Sequence, residues 1–312
     1  MTLIRSASAW VFGLLLSWPT CGAMAATEAP TVVRYAGAAT PAQQALHAFP
    51  AALLALCLDK SGNPYRLEVV PGFSAAQSPL ALESNAVDVI SLPSIASAIP
   101  GIRPVKLPLR RGLLGVRLLL ATPSTAERLA QVETTAALRR DFKMGYGQDW
   151  FDARAMQRLG FRMTLEASYP ALFEGIRQGR FDYLSRGVNE VLAEMEDPAL
   201  AGSGLVIVPG LALYYPLDDF FWARTGSASL RRDIEQGFRA ALADGSYTAL
   251  FDRFHAETMA LAGISERSVM HVLGYPVPEG TPLELFDVLQ LTRSQGRLAF
   301  PMVPENPPSP EG

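Results

Sequence analysis

Residues 143–190 read KMGYGQDWFDARAMQRLGFRMTLEASYPALFEGIRQGRFDYLSRGVNE, and this stretch decides the fold. Short apolar runs at 142–146, 162–166 and 181–184 alternate with segments of helical periodicity, and each run ends in a polar turn. The pattern predicts strand, helix, strand, helix, strand and helix, which is typical of an α/β protein. Open α/β sheets bind small molecules at their strand exits, so the polar turns are the first candidates for a site.

The helices of this stretch have recognisable starts and apolar stripes. Asp149 is placed to cap the first helix, and Ser168 to cap the second, which ends at Gly179. The expected stripe of the first helix is Phe151, Ala155 and Leu159. That of the second is Tyr169, Leu172, Phe173 and Ile176. The spacings of three and four residues predict that both helices lie against the sheet.

Several of these residues form a pattern that resembles the second lobe of the type II solute-binding proteins of ABC-type uptake systems, the group that includes amino-acid binders. The matching positions are Gly145, Gly147, Tyr169, Leu172, Phe173, Ile176, Gly179, Phe181 and Asp182, with the runs 186–190 (RGVNE) and 211–217 (LALYYPL). The resemblance extends over roughly residues 32–281 and is strongest at 142–254. It implies a two-lobed α/β fold, each lobe a βαβ-based sheet flanked by helices, with two hinge crossings.

The first 25 residues have the features of a secretory signal peptide. Arg5 is followed by an apolar run at 9–18, and Ala23 and Ala25 precede a plausible cleavage site. A membrane anchor needs about 18 or more apolar residues, and this run is shorter and stops at Pro19. The residues before Cys21 do not fit a lipid-attachment motif. We therefore expect export to the periplasm.

Composition favours a well-packed protein and excludes several function classes. Hydrophobic residues make up 49% of the 312 residues and charged residues 18%, enough for two lobes with full cores. Loss of Arg5 would leave 26 of the 27 basic residues beside 30 acidic ones, a balance that argues against nucleic-acid binding. Loss of Cys21 would leave Cys57 as a single thiol in an apolar run, so we expect it to be buried and without a disulfide.

No constellation in the sequence indicates an enzyme, a cofactor or a metal site. The chain has no G-x-S-x-G elbow and no phosphate loop, and the turn at 145–149 has only two of the three glycines of a dinucleotide fingerprint. His47, His255 and His271 are too far apart to form a known metal-ligand motif.

The two crossings divide the chain into lobes. We predict residues 26–120 and 222–300 as a discontinuous first lobe, 121–221 as an inserted second lobe, and 301–312 as a Pro-rich tail. The first crossing is expected near residue 121 and the return at 214–223. In this arrangement the strand exits of the two lobes face one another, and a small solute would bind between them as the lobes close.

The predicted second-lobe contacts lie at two exit turns. Arg186 is the leading candidate, because a guanidinium at a strand exit can form a bidentate pair with an anion. The alternative is a structural ion pair with Glu190 or Asp149. Asn189 belongs to the same turn. The other turn contributes Tyr146, Gly147, Gln148 and Asp149, although helix capping is the simpler role for Asp149.

The predicted first-lobe contacts are serines: Ser74 after the second strand, and Ser91 and Ser94 at the third. Amino-acid binders that the chain resembles use a first-lobe Arg for the ligand's carboxylate and a late second-lobe Asp for its amino group. Here residues 91–102 contain no Arg, and no Asp occurs between Asp197 and Asp218. This departure argues against a standard α-amino acid as the ligand.

We therefore expect a monomeric solute-binding protein that captures a small polar or anionic molecule, amino-acid-like or an organic acid, for an ABC-type permease. A periplasmic sensory or accessory protein that contacts a membrane signalling protein is the alternative. An enzyme, or a chain that has lost ligand binding, is a further possibility.

Overall fold

The computed structural model describes residues 29–38, 41–95, 99–196 and 203–290. The expected signal peptide and the Pro-rich tail lie outside these residues. Within the described parts of the chain, no helix is both long enough and apolar enough to cross a membrane.

The first lobe contains two small sheets. Strand β1 (Thr31–Ala38) pairs in parallel with β2 (Tyr65–Phe73), and helix α1 (Pro41–Lys60) connects them. Strand β11 (Asp219–Arg224) lies between β3 (Ile90–Pro93) and β4 (Ile102–Pro104) and is antiparallel to both. A parallel bridge between Tyr35 and Val89 joins the two sheets. The first lobe is therefore assembled from the N-terminal strands and one strand that follows the second lobe.

The second lobe is built on a larger mixed sheet, to which the described part of the chain contributes seven strands. Its order is β12-β10-β5-β8-β6-β7, with β9 paired to β5. The strands are β5 (Val116–Ala121), β6 (Met144–Gly147), β7 (Met163–Glu166), β8 (Tyr183–Gly187), β9 (Val206–Ile207), β10 (Leu211–Tyr214) and β12 (Ser268–His271). Strands β6, β7 and β8 are parallel, whereas β5 is antiparallel to β8 and β10.

Within the described ranges, eight further α-helices pack against the sheets. They are α2 (Ser78–Glu83), α3 (Pro123–Leu129), α4 (Thr135–Asp141), α5 (Ala153–Arg158), α6 (Tyr169–Arg177), α7 (Val188–Glu196), α8 (Ala228–Ala243) and α9 (Ser246–Ala262). Helices α1 and α8 approach closely, because a Cβ on Gly237 would lie 1.8 Å from the carbonyl oxygen of Cys57. Cys57 is fully buried there, as its apolar surroundings predict.

The strand and helix order predicted for residues 143–190 is confirmed. Ser168 caps α6 as expected, since its hydroxyl accepts a hydrogen bond from the Ala171 N–H. The capping role of Asp149 is wrong: α5 begins four residues later, with Asp152 at its N-cap position. Phe151 precedes the helix and is exposed, and Ala153, Ala155 and Met156 form the buried face instead. Tyr169 is also partly exposed, at 39%.

The sheet pairings shift the predicted lobe boundaries. Strand β5 already pairs with β8, so the chain enters the larger sheet before residue 121, within the segment 105–115. All six residues of β5 are buried, as expected for a central strand. The predicted first-lobe segment 222–300 also contains β12, which pairs with β10 and therefore belongs to the larger sheet.

The two crossing segments touch each other. A Cβ on Gly115 would lie 1.7 Å from the carbonyl oxygen of Tyr215, so only glycine permits this approach. Residues 215–218 lead from β10 to β11. Four residues span at most about 14 Å, so this short return brings the edges of the two sheets close together.

Candidate functional site

Arg186 lies on β8 and is buried in an ion-pair network of its own lobe. Its Nε atom is 2.9 Å from both carboxylate oxygens of Glu194, and its Nη2 atom is 3.3 Å from Glu190. Only 6% of the residue is exposed. The structural ion pair that the sequence left open is therefore formed, with Glu190 and with Glu194, which the sequence analysis did not single out.

Two aromatic rings enclose the Arg186 guanidinium. Its Cζ atom lies 4.7 Å from the centroid of Trp150 and 5.6 Å from that of Tyr169. Burial lowers the pKa of Arg186, but the charges of Glu190 and Glu194 outweigh burial and raise it. For Glu190, burial acts in the opposite direction and raises the pKa, but the positive charges of Arg186 and Arg117 outweigh burial and bring the pKa below its ordinary value. Both side chains are therefore held in their charged forms.

The turn after β6 divides into a buried and an exposed half. Tyr146 is buried and packs edge-on against Trp150, with ring centroids 4.5 Å apart. Gly147 is required beside it, because a Cβ there would lie 2.5 Å from the Trp150 Nε1 atom. Gln148 and Asp149 are exposed, and the Gln148 backbone N–H donates to the Glu166 carbonyl. Only the glycine and the tyrosine are thus connected to Arg186, through Trp150.

Arg117 is a buried cation that the sequence analysis did not select. It sits opposite Gly187 in the pairing of β5 with β8, and it donates hydrogen bonds to the carbonyls of Leu114 and Ser185. Among the described residues, its Nε atom has no hydrogen-bond partner. The available signal was a charged residue in the middle of the apolar run 113–121.

Asn189 lies beside Arg117 at the exit of β8. A Cβ on Gly187 would lie 2.7 Å from Asn189 Oδ1, 2.9 Å from Glu190 Oε2 and 3.2 Å from Arg117 Nη1, so the three side chains surround one glycine. Asn189 Oδ1 is buried and finds no hydrogen-bond partner within the described residues. Asn189, a predicted ligand contact, therefore lies next to Glu190 and Arg117, and its Oδ1 atom accepts no hydrogen bond from the described residues.

A buried acid, Asp152, extends this region and was also missed. The Tyr275 hydroxyl lies 3.5 Å from its carboxylate. Burial raises the pKa of Asp152, and the opposing effect of Arg117 is smaller. Burial also raises the pKa of Tyr146 well above its ordinary value. This edge of the sheet therefore has polar side chains in its interior, and the charge of Arg117 acts on the pKa values of both Asp152 and Tyr146.

The three predicted serines occupy different environments. Ser74 forms a local turn, with its hydroxyl accepting from the Gln77 N–H. The Ser91 hydroxyl is hydrogen-bonded to the Tyr35 hydroxyl at 2.7 Å. Ser94 is fully buried, its N–H donates to the Asp218 carbonyl, and its hydroxyl has no partner among the described residues. Ser94 is therefore the serine placed at the return crossing.

Arg110 supplies a first-lobe cation at the same place. It is buried, its Nη1 atom lies 2.6 Å from Asp219, and its guanidinium packs over the Phe49 ring. Its charge contributes to the lowered pKa of Glu190 in the second lobe. A first-lobe Arg is thus present, although on the crossing segment rather than after the third strand.

The described residues contain no group of three or more His, Cys, Asp or Glu side chains that could hold a metal ion.

The fold can be compared with known proteins. No protein-family model and no curated protein matches the sequence. Among solved structures, the VFT2 domain of Bordetella pertussis BvgS (double mutant F375E/Q461E) is similar with a TM-score of 0.52 and 12% identity over 72% of this chain and 93% of that one. An ancestral arginine-binding protein bound to arginine matches with a TM-score of 0.47 and 14% identity over 72% and 98%. A Silicibacter pomeroyi His/Glu/Gln/Arg/opine family-binding protein in complex with lysine gives 0.47 and 14% over 72% and 97%. The chain has the two-lobed type II periplasmic-binding-protein fold.

Proposed function

We propose that this chain is a periplasmic solute-binding protein that captures a small polar or anionic molecule between its lobes and delivers it to an ABC-type permease. The fold supports this proposal, since its known examples include binding proteins and it responds to ligands by lobe closure. The proposal includes no covalent chemistry.

One observation carries the proposal: near the return crossing, both lobes have buried polar atoms that find no hydrogen-bond partner among the residues the structure describes. They include Ser94 Oγ in the first lobe and Arg117 Nε and Asn189 Oδ1 in the second. Buried polar groups in folded proteins are nearly always hydrogen-bonded, so such atoms need a ligand or water to complete them. Together they offer donors and acceptors to an organic acid or an amino-acid-like molecule, with Arg110 and Glu190 as flanking charges.

A thermal-shift screen of the unfolded and refolded protein tests solute capture. Amino acids, organic acids, polyamines and small peptides are the compounds to compare. A ligand at 100 times its dissociation constant adds about 2.7 kcal/mol to stability, and this should raise the midpoint by roughly 5 °C or more. A shift with one chemical class supports capture; no shift with any class contradicts it.

A sensory or accessory role is the second candidate, and the state of Arg186 favours it. Its charge is already matched by Glu190 and Glu194, so this strongest predicted anion site needs no ligand. A protein that closes without a ligand would present one fixed surface to a membrane signalling partner. Small-angle scattering of the refolded protein distinguishes the roles: compaction on adding a solute indicates capture, and a closed shape without any solute indicates the sensory role.

A further inference from the structure

A second concave site lies on the first lobe, away from the meeting edges of the sheets. It is a pocket of about 290 Å³ between β4 and α8. Its lining includes Pro104, Lys106, Arg231, Arg232, Glu235, Arg239 and Gly280. Four cations and one carboxylate give this lining a formal charge of +3, whereas the whole chain carries −3. We call it the α8 pocket.

The sheet register separates the α8 pocket from the candidate ligand site. Pro104 pairs with Trp222, and Trp222 pairs with Ile90 at the start of β3. Ser94 follows Pro93 at the opposite end of that strand. The pocket therefore lies at the far edge of the three-stranded sheet, and a molecule bound there would not contact the residues near the return crossing.

The positive charge in the α8 pocket is concentrated and incompletely neutralised. Arg239 pairs with Glu235, and Arg231 uses its guanidinium to hold the backbone carbonyls of Arg224 and Thr225. The side chains of Lys106 and Arg232 form no hydrogen bond or ion pair with any described residue, and both residues are exposed. Burial lowers the pKa of Arg231, and repulsion from Arg103 and Arg232 lowers it further. An anion in the pocket would relieve this repulsion.

The shape of the pocket limits what can satisfy these charges. The cationic residues line a concavity of about 290 Å³ rather than a flat face. Gly280 adds to the space, because a Cβ there would lie 3.2 Å from the Lys106 Nζ atom. Lys and Arg side chains donate charge-assisted hydrogen bonds to phosphate oxygens. A compact ion with several negative charges can accept such bonds from several cations at once.

We propose that the α8 pocket binds a multivalent phosphate group, held by Lys106 and Arg232 with Arg231 as an orienting positive charge. The phosphate chemistry is common to a free ion and to the headgroup of an anionic lipid. This site is independent of solute capture between the lobes.

The test compares the intact protein with two double variants of equal net charge. Lys106→Gln/Arg232→Gln removes the two unpaired cations of the pocket. Arg154→Gln/Arg158→Gln removes two exposed cations on α5 of the other lobe and serves as the control. Calorimetric titration with pyrophosphate, at an ionic strength held constant with sodium chloride, measures the free ion. Co-sedimentation with phosphatidylglycerol or phosphatidylcholine vesicles measures the headgroup.

We expect pyrophosphate to bind the intact protein and the control, and to bind the pocket variant at least about tenfold more weakly, since each charge-assisted contact contributes more than a neutral hydrogen bond. Binding only to phosphatidylglycerol vesicles, with the same dependence on the variants, would support the proposal with a lipid as the source. The proposal is overturned if neither probe binds up to roughly 10 mM, or if the pocket variant binds as well as the control.

Discussion

The carboxylate of Asp218 accepts a 2.6 Å hydrogen bond from the backbone N–H of Gly112, and this contact joins the two crossing segments. The same carboxylate accepts the backbone N–H groups of Arg110 and Asp219. Asp218 is fully buried. The Asp218 side chain therefore links the entry and return segments between the lobes, in addition to the ion pair of Arg110 with Asp219.

Asp218→Asn should weaken this junction. The amide keeps one acceptor oxygen and directs its NH₂ group at N–H donors, which leaves at least one buried donor without a partner. We expect a loss of about 1–3 kcal/mol in the free energy of unfolding, measured by urea denaturation. Asp59→Asn, at an exposed position on α1, is the matched control and should change little. Equal midpoints for the two variants would contradict the proposed role of Asp218.

Local signals in the sequence were enough to predict the α/β stretch but not the pairing of its charges. The alternation of apolar runs and helical stripes, and the cap at Ser168, depend on neighbours within a few residues, so they were readable. Arg186 meets Glu194 only because α7 folds back along β8, and Arg117 meets Gly187 across the pairing of β5 with β8. Such partners depend on register between distant strands, which one sequence does not reveal.

The start of α5 could not be read for a related reason. Asp149 has the residue type of a cap, but the aromatic packing of Trp150 on Tyr146 occupies the turn and delays the helix to Ala153. Tertiary packing outweighed a local preference here.

The pair of Arg186 and Glu194 should be strongly coupled. Removing one partner leaves a buried charge, which costs about 3–5 kcal/mol, so Arg186→Gln alone should be severely destabilised. Glu194→Gln alone should also lose stability, and the double variant should lose less than the sum of the two. Urea denaturation of the three variants gives the coupling energy, which we expect to exceed about 1 kcal/mol. Additive losses would mean that the two side chains do not interact in solution.

Gly147→Ala should displace the ring that covers Arg186. The added methyl group would overlap Trp150, and overpacking of this kind costs about 1–3 kcal/mol. The near-ultraviolet circular dichroism should change as Trp150 moves, together with a lower urea midpoint. Gly226→Ala is the matched control, because a Cβ at Gly226 meets no atom within 4 Å. If Gly147→Ala changes neither the near-ultraviolet circular dichroism nor the urea midpoint, the turn adapts to the methyl group without moving Trp150, and the prediction is wrong.

His255 should make the protein sensitive to acid. It is enclosed by aromatic rings, with Phe49 and Phe251 at 4.7 Å and 4.9 Å, and burial lowers its pKa to about 3, with a smaller contribution from Arg110. The unfolded chain binds a proton near pH 6.5, so the stability that comes from the neutral ring is complete above that pH and is lost as pH falls towards 3.

The expected slope from this residue is about 1.4 kcal/mol per pH unit over that window. His255→Phe removes the titrating group, and the difference between the two proteins in urea denaturation between pH 7 and 4 isolates its effect. Parallel pH profiles would show that His255 does not titrate as its burial indicates.

Asn189 and Gln148 provide the most direct comparison within the predicted ligand site. Both are amide side chains at strand exits, but Asn189 Oδ1 is buried without a described partner, whereas Gln148 is exposed. Asn189→Ala removes no hydrogen bond that the described residues supply, so it should leave the stability of the unliganded protein nearly unchanged. If a solute completes that acceptor, its dissociation constant should rise at least about tenfold, the loss of one buried hydrogen bond. Gln148→Ala should leave affinity unchanged. Calorimetric titration with a solute found in the thermal-shift screen measures both, and an Asn189→Ala variant with full affinity would remove Asn189 from the site.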